Sequence, residues 1–232
     1  SSDLIVEKLQ KSRHEKVNII GHSQGGLDAR WVAHERPDLV ASVVTIASPN
    51  GGSPVADIVV DLVENETFRD IVDVLVPVFG KALFDEIGET TSLFDSVEQF
   101  ADDGIEEFNA NITNQPGVLY ASVAGRSDGT PSGGPCYTRH APEFVRQWND
   151  TTDPIDPLLA TTEAFVSDSS EMPNDGLVTV ESARWGTFLG CVPADHLDQV
   201  GQLVGDDPGR GNDWNHLDFF SGLVDWLREQ GV

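Results

Sequence analysis

Short apolar runs alternate with amphipathic segments over the first fifty residues of the chain. The predicted elements are, in chain order, a helix over 3–13, a strand over 17–20, a helix over 27–35 and a strand over 39–46. The helices show apolar positions three or four residues apart, whereas the strands are continuous apolar runs of the kind found in a buried parallel sheet. This alternation predicts an α/β fold with a mostly parallel sheet flanked by helices.

The pattern changes after residue 54. Residues 55–110 show helical periodicity with a broad apolar face, and Pro77 is expected to kink or divide the helix there. Further predicted elements are a strand over 119–124, a loop over 126–136, a strand over 177–180 and a closing helix over 219–227. We therefore expect one domain over 1–232, with 55–110 inserted as a helical lid or cap.

Composition supports a packed domain and excludes some partners. The chain has 232 residues, of which 39% are hydrophobic, enough for one sizeable core. Its formal net charge of −25 would be repelled by phosphate backbones, so nucleic acid is not an expected partner. An acidic chain with few lysines suits strong salt, as in a halophilic or marine source, and equally suits an ordinary acidic secreted protein.

No stretch approaches the ~20 apolar residues of a membrane span, and the first residues lack the pattern of a signal peptide. We expect a soluble mature chain or a fragment. The two cysteines, Cys136 and Cys191, are far apart and form no C-x-x-C motif. One long-range disulfide is their natural use and would imply an oxidising compartment, while two unpaired buried thiols are the alternative.

Residues 21–25 read Gly-His-Ser-Gln-Gly and fit the G-x-S-x-G pattern. The pattern lies between an apolar strand and a helix, the setting in which a serine is exposed at a sharp strand-to-helix turn as a nucleophile. Small residues are needed around such a turn because the serine backbone is strained. The backbone N–H of Gln24 would then stabilise an oxyanion at the start of the helix.

A nucleophilic serine needs a histidine base and a carboxylate that orients it, in the chain order serine, acid, histidine for this kind of turn. Asp175 is the predicted acid, because it lies in a loop directly before an apolar run. His196 is the predicted base. His216 is its rival, because the His-Leu-Asp sequence of 196–198 occurs again at 216–218.

Three segments together resemble the secreted bacterial triacylglycerol lipases of the Pseudomonas and Burkholderia type. They are V-N-I-I-G-H-S-Q-G-G-L at 17–27, A-S-P-N-G-G-S at 47–53 and N-D-G-L-V at 174–178. The resemblance is dense over about 17–63 and 153–206. It implies an α/β-hydrolase fold, and it implies that Asp175 and His196 join Ser23 as the catalytic residues.

The same resemblance implies a structural calcium site. The positions that match are Asp198, Gln202, a carbonyl near Asp206 and an aspartate upstream of the catalytic acid, for which Asp156 is the better match and Asp153 the alternative. Such oxygen ligands suit Ca²⁺, which would pin the histidine loop rather than take part in the chemistry. In a chain this acidic, the same carboxylates could equally be solvated charges.

The family also carries a mobile amphipathic lid, which residues 66–84 match in position and in their apolar face. Opening of such a lid would expose a surface over Ser23 that binds a lipid or ester substrate at an oil–water interface. The alternative is that this face belongs to the core. A lipase-specific foldase is a further partner that the resemblance implies.

Three features depart from the family pattern. Asn50 replaces a usual histidine, and Cys136 lies later than the family's first cysteine, so the disulfide is not inherited from the resemblance. No strand or His-Gly segment that could supply a second oxyanion N–H precedes residue 3. We therefore expect a truncated sequence or a fragment of a longer enzyme, whose first strands are missing or supplied elsewhere. The alternative is that another backbone N–H has taken over.

The sequence thus predicts a secreted lipase that hydrolyses long-chain triacylglycerol esters through an acyl-enzyme, with a Ser-His-Asp triad. A short-chain carboxylesterase or a polyester depolymerase would use the same triad. A catalytically silent module that binds a partner through the apolar face of 66–84 is the alternative outside enzymes.

Overall fold

The computed structural model describes residues 2–12, 14–54, 102–127, 136–139, 141–151, 153–169, 172–201 and 213–232. The helices are α1 (Ser2–Ser12), α2 (Gln24–Glu35), α3 (Asp102–Asn111), α4 (Glu143–Arg146), α5 (Ala160–Ser169) and α6 (His216–Glu229). The strands are β1 (Val17–His22), β2 (Val40–Ile46), β3 (Leu119–Gly125) and β4 (Thr187–Val192), and a short 3-10 helix covers Asp198–Val200.

The four strands form one parallel sheet in the order β1-β2-β3-β4. The inner strands β2 and β3 are buried almost throughout, which explains why they read as continuous apolar runs. The predicted strands over 17–20, 39–46 and 119–124 are therefore confirmed. The mostly parallel sheet flanked by helices is confirmed with them.

Helices cover both faces of this sheet. Successive side chains of a strand point to opposite faces, so neighbouring residues of β2 enter different layers of the core. Val43 packs with Ala29 and Ala33 of α2, whereas Val44 packs with Phe219 and other apolar residues of α6. The carboxyl ends of the strands are consequently held between two helical layers, and the candidate functional residues gather at those ends.

A disulfide joins Cys136 to Cys191, and both side chains are buried. The bond ties the segment before α4 to β4 across 55 residues of sequence. The prediction of one long-range disulfide is confirmed, and the alternative of two unpaired thiols is wrong.

One predicted strand is wrong, and one strand was not predicted. Residues 177–180 form a turn-rich loop, because the backbone N–H groups of Leu177 and Val178 donate to the side chain of Asp175 instead of to a neighbouring strand. The fourth strand of the sheet is β4, at 187–192, whose sequence T-F-L-G-C-V is neither a continuous apolar run nor a regular alternation of polar and apolar residues.

Most of the proposed insertion over 55–110 lies outside the described residues, and so does the candidate lid at 66–84. Its end is α3, whose Ile105 packs in the core with Ala124 and Val178. Among the helices that the structure describes, none is long and apolar enough to cross a membrane.

Candidate active site

Ser23 lies at the turn between β1 and α2, in the backbone conformation that the motif requires. Its φ is 54° and its ψ is −131°, a conformation that costs a non-glycine residue about 1–3 kcal/mol and is found mainly at functional sites. Its side chain makes no capping hydrogen bond to α2. The hydroxyl is therefore available to a partner outside the turn.

Gly21 of the motif and Gly26, which directly follows it, are required by close contacts around this turn. A Cβ at Gly21 would lie 2.3 Å from the backbone oxygen of Gly25, and a Cβ at Gly26 would lie 1.9 Å from Oγ of Ser48. The first contact is with backbone and cannot be relieved by a change of rotamer. The tight approach of β1, α2 and β2 thus explains why small residues surround the serine.

The structure brings Ser23, His196 and Asp175 into one chain of hydrogen bonds. The Ser23 hydroxyl donates to Nε2 of His196 at 3.0 Å, and Nδ1 of His196 donates to Oδ2 of Asp175 at 2.9 Å. This assignment of the imidazole protons follows from the neighbours, because a carboxylate can only accept. His196 and Asp175 are completely buried, and Ser23 is 7% exposed.

The loop that carries Asp175 is built around the side chains of two polar residues. Oδ1 of Asp175 accepts the backbone N–H groups of Leu177 and Val178 at 3.1 and 2.8 Å, and Asn174 accepts that of Gly176 at 2.9 Å. Gly176 has a φ of 96°, which favours glycine at this turn. One carboxylate oxygen thus fixes the loop, while the other faces His196.

Burial by itself raises the pKa of Asp175, but the neighbours outweigh it. The charge and the hydrogen bond of His196, together with the backbone N–H groups of Val178 and Leu177, hold the pKa of this carboxyl below its ordinary value. Asp175 is consequently ionised wherever the fold is intact near neutral pH, and it can orient and stabilise an imidazolium.

His22 packs directly on His196, a contact that the motif alone did not indicate. Its ring centroid lies 4.6 Å from that of His196, with the two planes at 49°. Burial, with a smaller contribution from the neighbouring His196, lowers the pKa of His22 to about 3. His22 is therefore neutral near neutral pH and adds no charge beside His196.

Gln24 begins α2, so its backbone N–H lies at the positive end of the helix dipole, next to the serine. This is the position expected for the oxyanion donor. His216, the rival base, is instead the first residue of α6, directly after its N-cap Asn215, whose side chain accepts two backbone N–H groups of that helix. The second His-Leu-Asp sequence is thus part of a helix start.

Three buried aspartates gather beside the base: Asp153, Asp195 and Asp198, with one carboxylate oxygen from each within 4.8 Å of the others. Asp153, rather than the preferred Asp156, joins Asp198 in this group. Asp156 is half-buried and contributes its backbone N–H, which donates to Oδ2 of Asp195 at 3.0 Å. Asp195 was not predicted, and Gln202 and Asp206 lie outside the described residues.

The donor set of this cluster fits a hard divalent cation. Burial, with a smaller contribution from the Asp156 carboxylate, raises the pKa of Asp195 despite the hydrogen bonds that favour its ionised form. Three buried carboxylates repel one another, and oxygen ligands of this kind are those that Ca²⁺ prefers. Asp153, Asp195 and Asp198 are therefore the described residues that could hold the metal.

Asn50, which departs from the family pattern, belongs to a buried network behind α2. Its side-chain oxygen accepts from Arg30 at 2.9 Å, and its amide donates to the backbone oxygen of Ala183 at 3.0 Å. Burial lowers the pKa of Arg30 to about 10, and its guanidinium lies 3.4 Å from the ring centroid of Trp185. Asn50 thus provides a neutral acceptor for a buried cation.

Comparison with known proteins shows which proteins this chain is similar to. A family model described as alpha/beta hydrolase fold matches residues 3–85. A triacylglycerol lipase of Pseudarthrobacter phenanthrenivorans is 29% identical over 228 residues, which cover 82% of this chain and 67% of the relative. A triacylglycerol lipase of Burkholderia plantarii is 29% identical as well, with coverage of 82% and 60%.

Among solved structures, a Bacillus licheniformis lipase in its mature form superposes with a TM-score of 0.56 at 20% identity, covering 84% of this chain and 64% of that one. At this low sequence identity, the match is evidence for the fold alone. The chain spans 60 to 67% of the length of the two curated relatives. On sequence and fold together, the chain has an α/β-hydrolase fold and is similar in sequence to triacylglycerol lipases.

Proposed function

We propose that the protein is a carboxylic ester hydrolase of the lipase type that works through an acyl-enzyme. The observation that carries the proposal is the unbroken hydrogen-bonded chain from Ser23 through His196 to Asp175. These three residues come from distant parts of the sequence, and 173 residues separate Ser23 from His196. Similarity in sequence to triacylglycerol lipases supports the same reaction class.

In the first half of the reaction, Oγ of Ser23 attacks the ester carbonyl carbon while Nε2 of His196 takes the hydroxyl proton. Asp175 stabilises the imidazolium that results. The negative charge that develops on the carbonyl oxygen is stabilised by the backbone N–H of Gln24. When the tetrahedral intermediate collapses, the ester C–O bond breaks and the alcohol leaves with the proton held by His196.

In the second half, water replaces the alcohol. His196 takes a proton from the water as it attacks the acyl carbon, and the carboxylic acid leaves when Oγ of Ser23 regains its proton. His196 therefore acts first as a base and then as an acid in each half-reaction. Its fixed place between Ser23 and Asp175 supports this double role.

We propose triacylglycerols as the substrates, because the relatives are named triacylglycerol lipases, and we propose long acyl chains within that class. A series of nitrophenyl esters of increasing acyl length tests this directly. A lipase should prefer long chains and accelerate above the solubility limit of the substrate. A preference for short soluble esters would indicate a carboxylesterase, and release of monomers from a polyester film would indicate a depolymerase.

We propose that Ca²⁺ is held by Asp153 and Asp198, with Asp195 beside them, and that Gln202 and a carbonyl near Asp206 complete the site. When bound, the metal would neutralise the buried carboxylates and stabilise the turn that carries His196. It would take no part in the covalent steps, because Asp195 and Asp198 flank His196 without contacting the Ser23 hydroxyl.

The Cys136–Cys191 disulfide supports secretion, because such bonds persist in oxidising compartments. We propose one domain over 1–232, as the length of the chain predicts. A lid at 66–84 and a lipase-specific foldase as partner are proposed from the family resemblance.

The decisive experiment labels the purified protein with a serine-directed phosphonate. We expect one label per chain in the wild type, none in Ser23→Ala, and loss of ester turnover in Ser23→Ala with the fold intact by circular dichroism. His196→Ala should lose turnover, whereas the matched control His216→Ala should retain it. Equal labelling with and without Ser23, or no turnover in a folded wild type with calcium, would contradict the proposal and favour a silent binding module.

A further inference from the structure

The carboxylate of Asp175 receives a hydrogen bond that the triad does not account for. Nε2 of Gln199 donates to Oδ2 of Asp175 at 2.9 Å, and this is the same oxygen that receives Nδ1 of His196. The other oxygen accepts the two backbone N–H groups of the acid loop. Because a carboxylate offers about four lone-pair sites, the Gln199 amide completes the set.

Gln199 is completely buried, and its amide is oriented by what surrounds it. The same Nε2 lies 3.2 Å from the backbone oxygen of Asp195, the residue before His196. Exchanging the amide nitrogen and oxygen would place Oε1 against two acceptors, which is unfavourable. One amide therefore bridges the loop of the acid and the turn of the base.

The end of β3 leaves room for this amide. A Cβ at Gly125 would lie 2.0 Å from Nε2 of Gln199 and 2.7 Å from the backbone oxygen of Ala194. Any side chain at position 125 would displace the amide or the backbone before the base. The contact thus depends on a glycine far away in sequence, as well as on the 3-10 helix that carries Gln199.

We propose that Gln199 is a positioning residue, whose amide holds the Asp175 carboxylate in the orientation that His196 requires. The inference rests on the proposed ester hydrolase function. Without this donor, Oδ2 would keep only the imidazole bond in a site closed to water, and a buried charged acceptor that lacks a partner relaxes toward another geometry. The consequence falls on the base, because Asp175 sets the direction of the imidazole.

The test replaces Gln199 with Met, which has nearly the same length and no donor. We expect kcat to fall about tenfold or more with KM unchanged, because the lost bond orients the base and does not bind substrate. Gln199→Asn, whose amide is one methylene shorter and cannot reach Oδ2, should behave in the same way. Leu223→Ala is the matched control, because Leu223 lies on the buried face of α6. It should lower the melting temperature and leave kcat unchanged at low temperature.

A second readout does not depend on any substrate. The imidazole proton between Nδ1 of His196 and Asp175 should give a proton NMR signal far downfield, absent in Asp175→Asn. We expect Gln199→Met to shift or broaden it, and Leu223→Ala to leave it in place. If the wild type shows no turnover while Gln199→Met still moves this signal, the hydrolase function fails and the positioning role stands. An unchanged kcat and an unchanged signal in a folded Gln199→Met protein would overturn the inference.

Discussion

The backbone N–H of Asp195 donates to Oδ2 of Asp153 at 2.7 Å, one residue before His196. The turn that carries the base is therefore tied to the group of buried aspartates. Oδ1 of Asp195 in turn accepts the backbone N–H groups of Leu197 and Asp198. A change in the charge of these aspartates should therefore change the position of His196.

Removal of calcium should lower stability and activity together. A ligand that binds only the native state stabilises it by about 2.7 kcal/mol at a concentration one hundred times its Kd, and a chelator removes that contribution. We expect a lower melting temperature and slower turnover after chelation, both restored by added calcium. Asp153→Asn should abolish the response to calcium, whereas Asp156→Asn should retain it.

Tryptophan fluorescence provides an independent measure of the same site. Nε1 of the buried Trp214 donates to the backbone oxygen of Asp198 at 3.2 Å, so binding at Asp198 should change its emission. Melting curves and emission spectra that are identical with and without chelator would contradict the site.

Acid should destabilise the fold through two groups, His22 and Asp175, which titrate over different pH ranges. The pKa of His22 falls from 6.5 to about 3 on folding, so between these values the unfolded chain binds a proton that the native protein does not. Stability therefore rises with pH across this range and is lost as the pH falls. Asp175, whose pKa is lowered from 3.8, contributes stability that is lost only below that value.

The pH prediction is checked by urea unfolding between about pH 4 and pH 7, above the range in which Asp175 titrates. His22→Phe removes the titrating ring and retains an aromatic side wall, so it should flatten the dependence of the unfolding free energy on pH. His14→Phe, on the exposed segment after α1, is the matched control and should leave the slope as in the wild type. A slope unaffected by His22→Phe would rule out His22 as its source.

Loss of the disulfide should destabilise the fold without abolishing turnover. Cys136 and Cys191 close a loop of 55 residues, for which chain entropy predicts a loss of about 4 kcal/mol when the bond is removed. We expect Cys136→Ser with Cys191→Ser to lower the unfolding midpoint, and reductant to do the same to the wild type. Reductant should not affect the double variant, and an equal midpoint in all four samples would contradict the bond.

Two neighbouring glycines of α2 should respond in opposite ways to alanine. A Cβ at Gly26 would overlap Oγ of Ser48 at 1.9 Å, so Gly26→Ala should cost about 1–3 kcal/mol of unfolding free energy. No described atom lies within 4 Å of a Cβ at Gly25, so Gly25→Ala should be neutral or stabilise the helix by up to about 1 kcal/mol.

The same pair allows a rescue experiment. Ser48→Gly removes the side chain that a Cβ at Gly26 would meet, so it should recover part of the stability lost in Gly26→Ala. Urea midpoints of the single and double variants measure the recovery. Additive effects of the two changes would show that the overlap is not what makes Gly26 necessary.

Local features of the sequence determined the nucleophile turn and most of the sheet. The apolar runs of β2 and β3 are long enough to be recognised because both faces of these strands are buried, and the half-buried β1 retains a shorter run of the same kind. The glycines around Ser23 mark a tight turn, in which Gly21 approaches the backbone of Gly25, four residues later. Such signals are local, so no knowledge of the rest of the fold was needed to interpret them.

Tertiary structure decided what depends on residues far apart in the chain. Residues 177–180 have the composition of a strand, yet their N–H groups bind Asp175, and β4 takes the place in the sheet instead. The preference for Asp156 over Asp153 also followed from local pattern, whereas the buried group at the base contains Asp153.

The contacts of His196 likewise depend on tertiary structure and not on local sequence. The two His-Leu-Asp sequences are alike locally, yet His196 hydrogen-bonds to Ser23 and Asp175, whereas His216 begins α6. No local sequence pattern marks Gln199 or His22 as part of the site. Their contacts with Asp175 and His196 form only when segments far apart in the chain pack together. The sequence by itself determined the turn that presents the serine; long-range packing decided which residues face it.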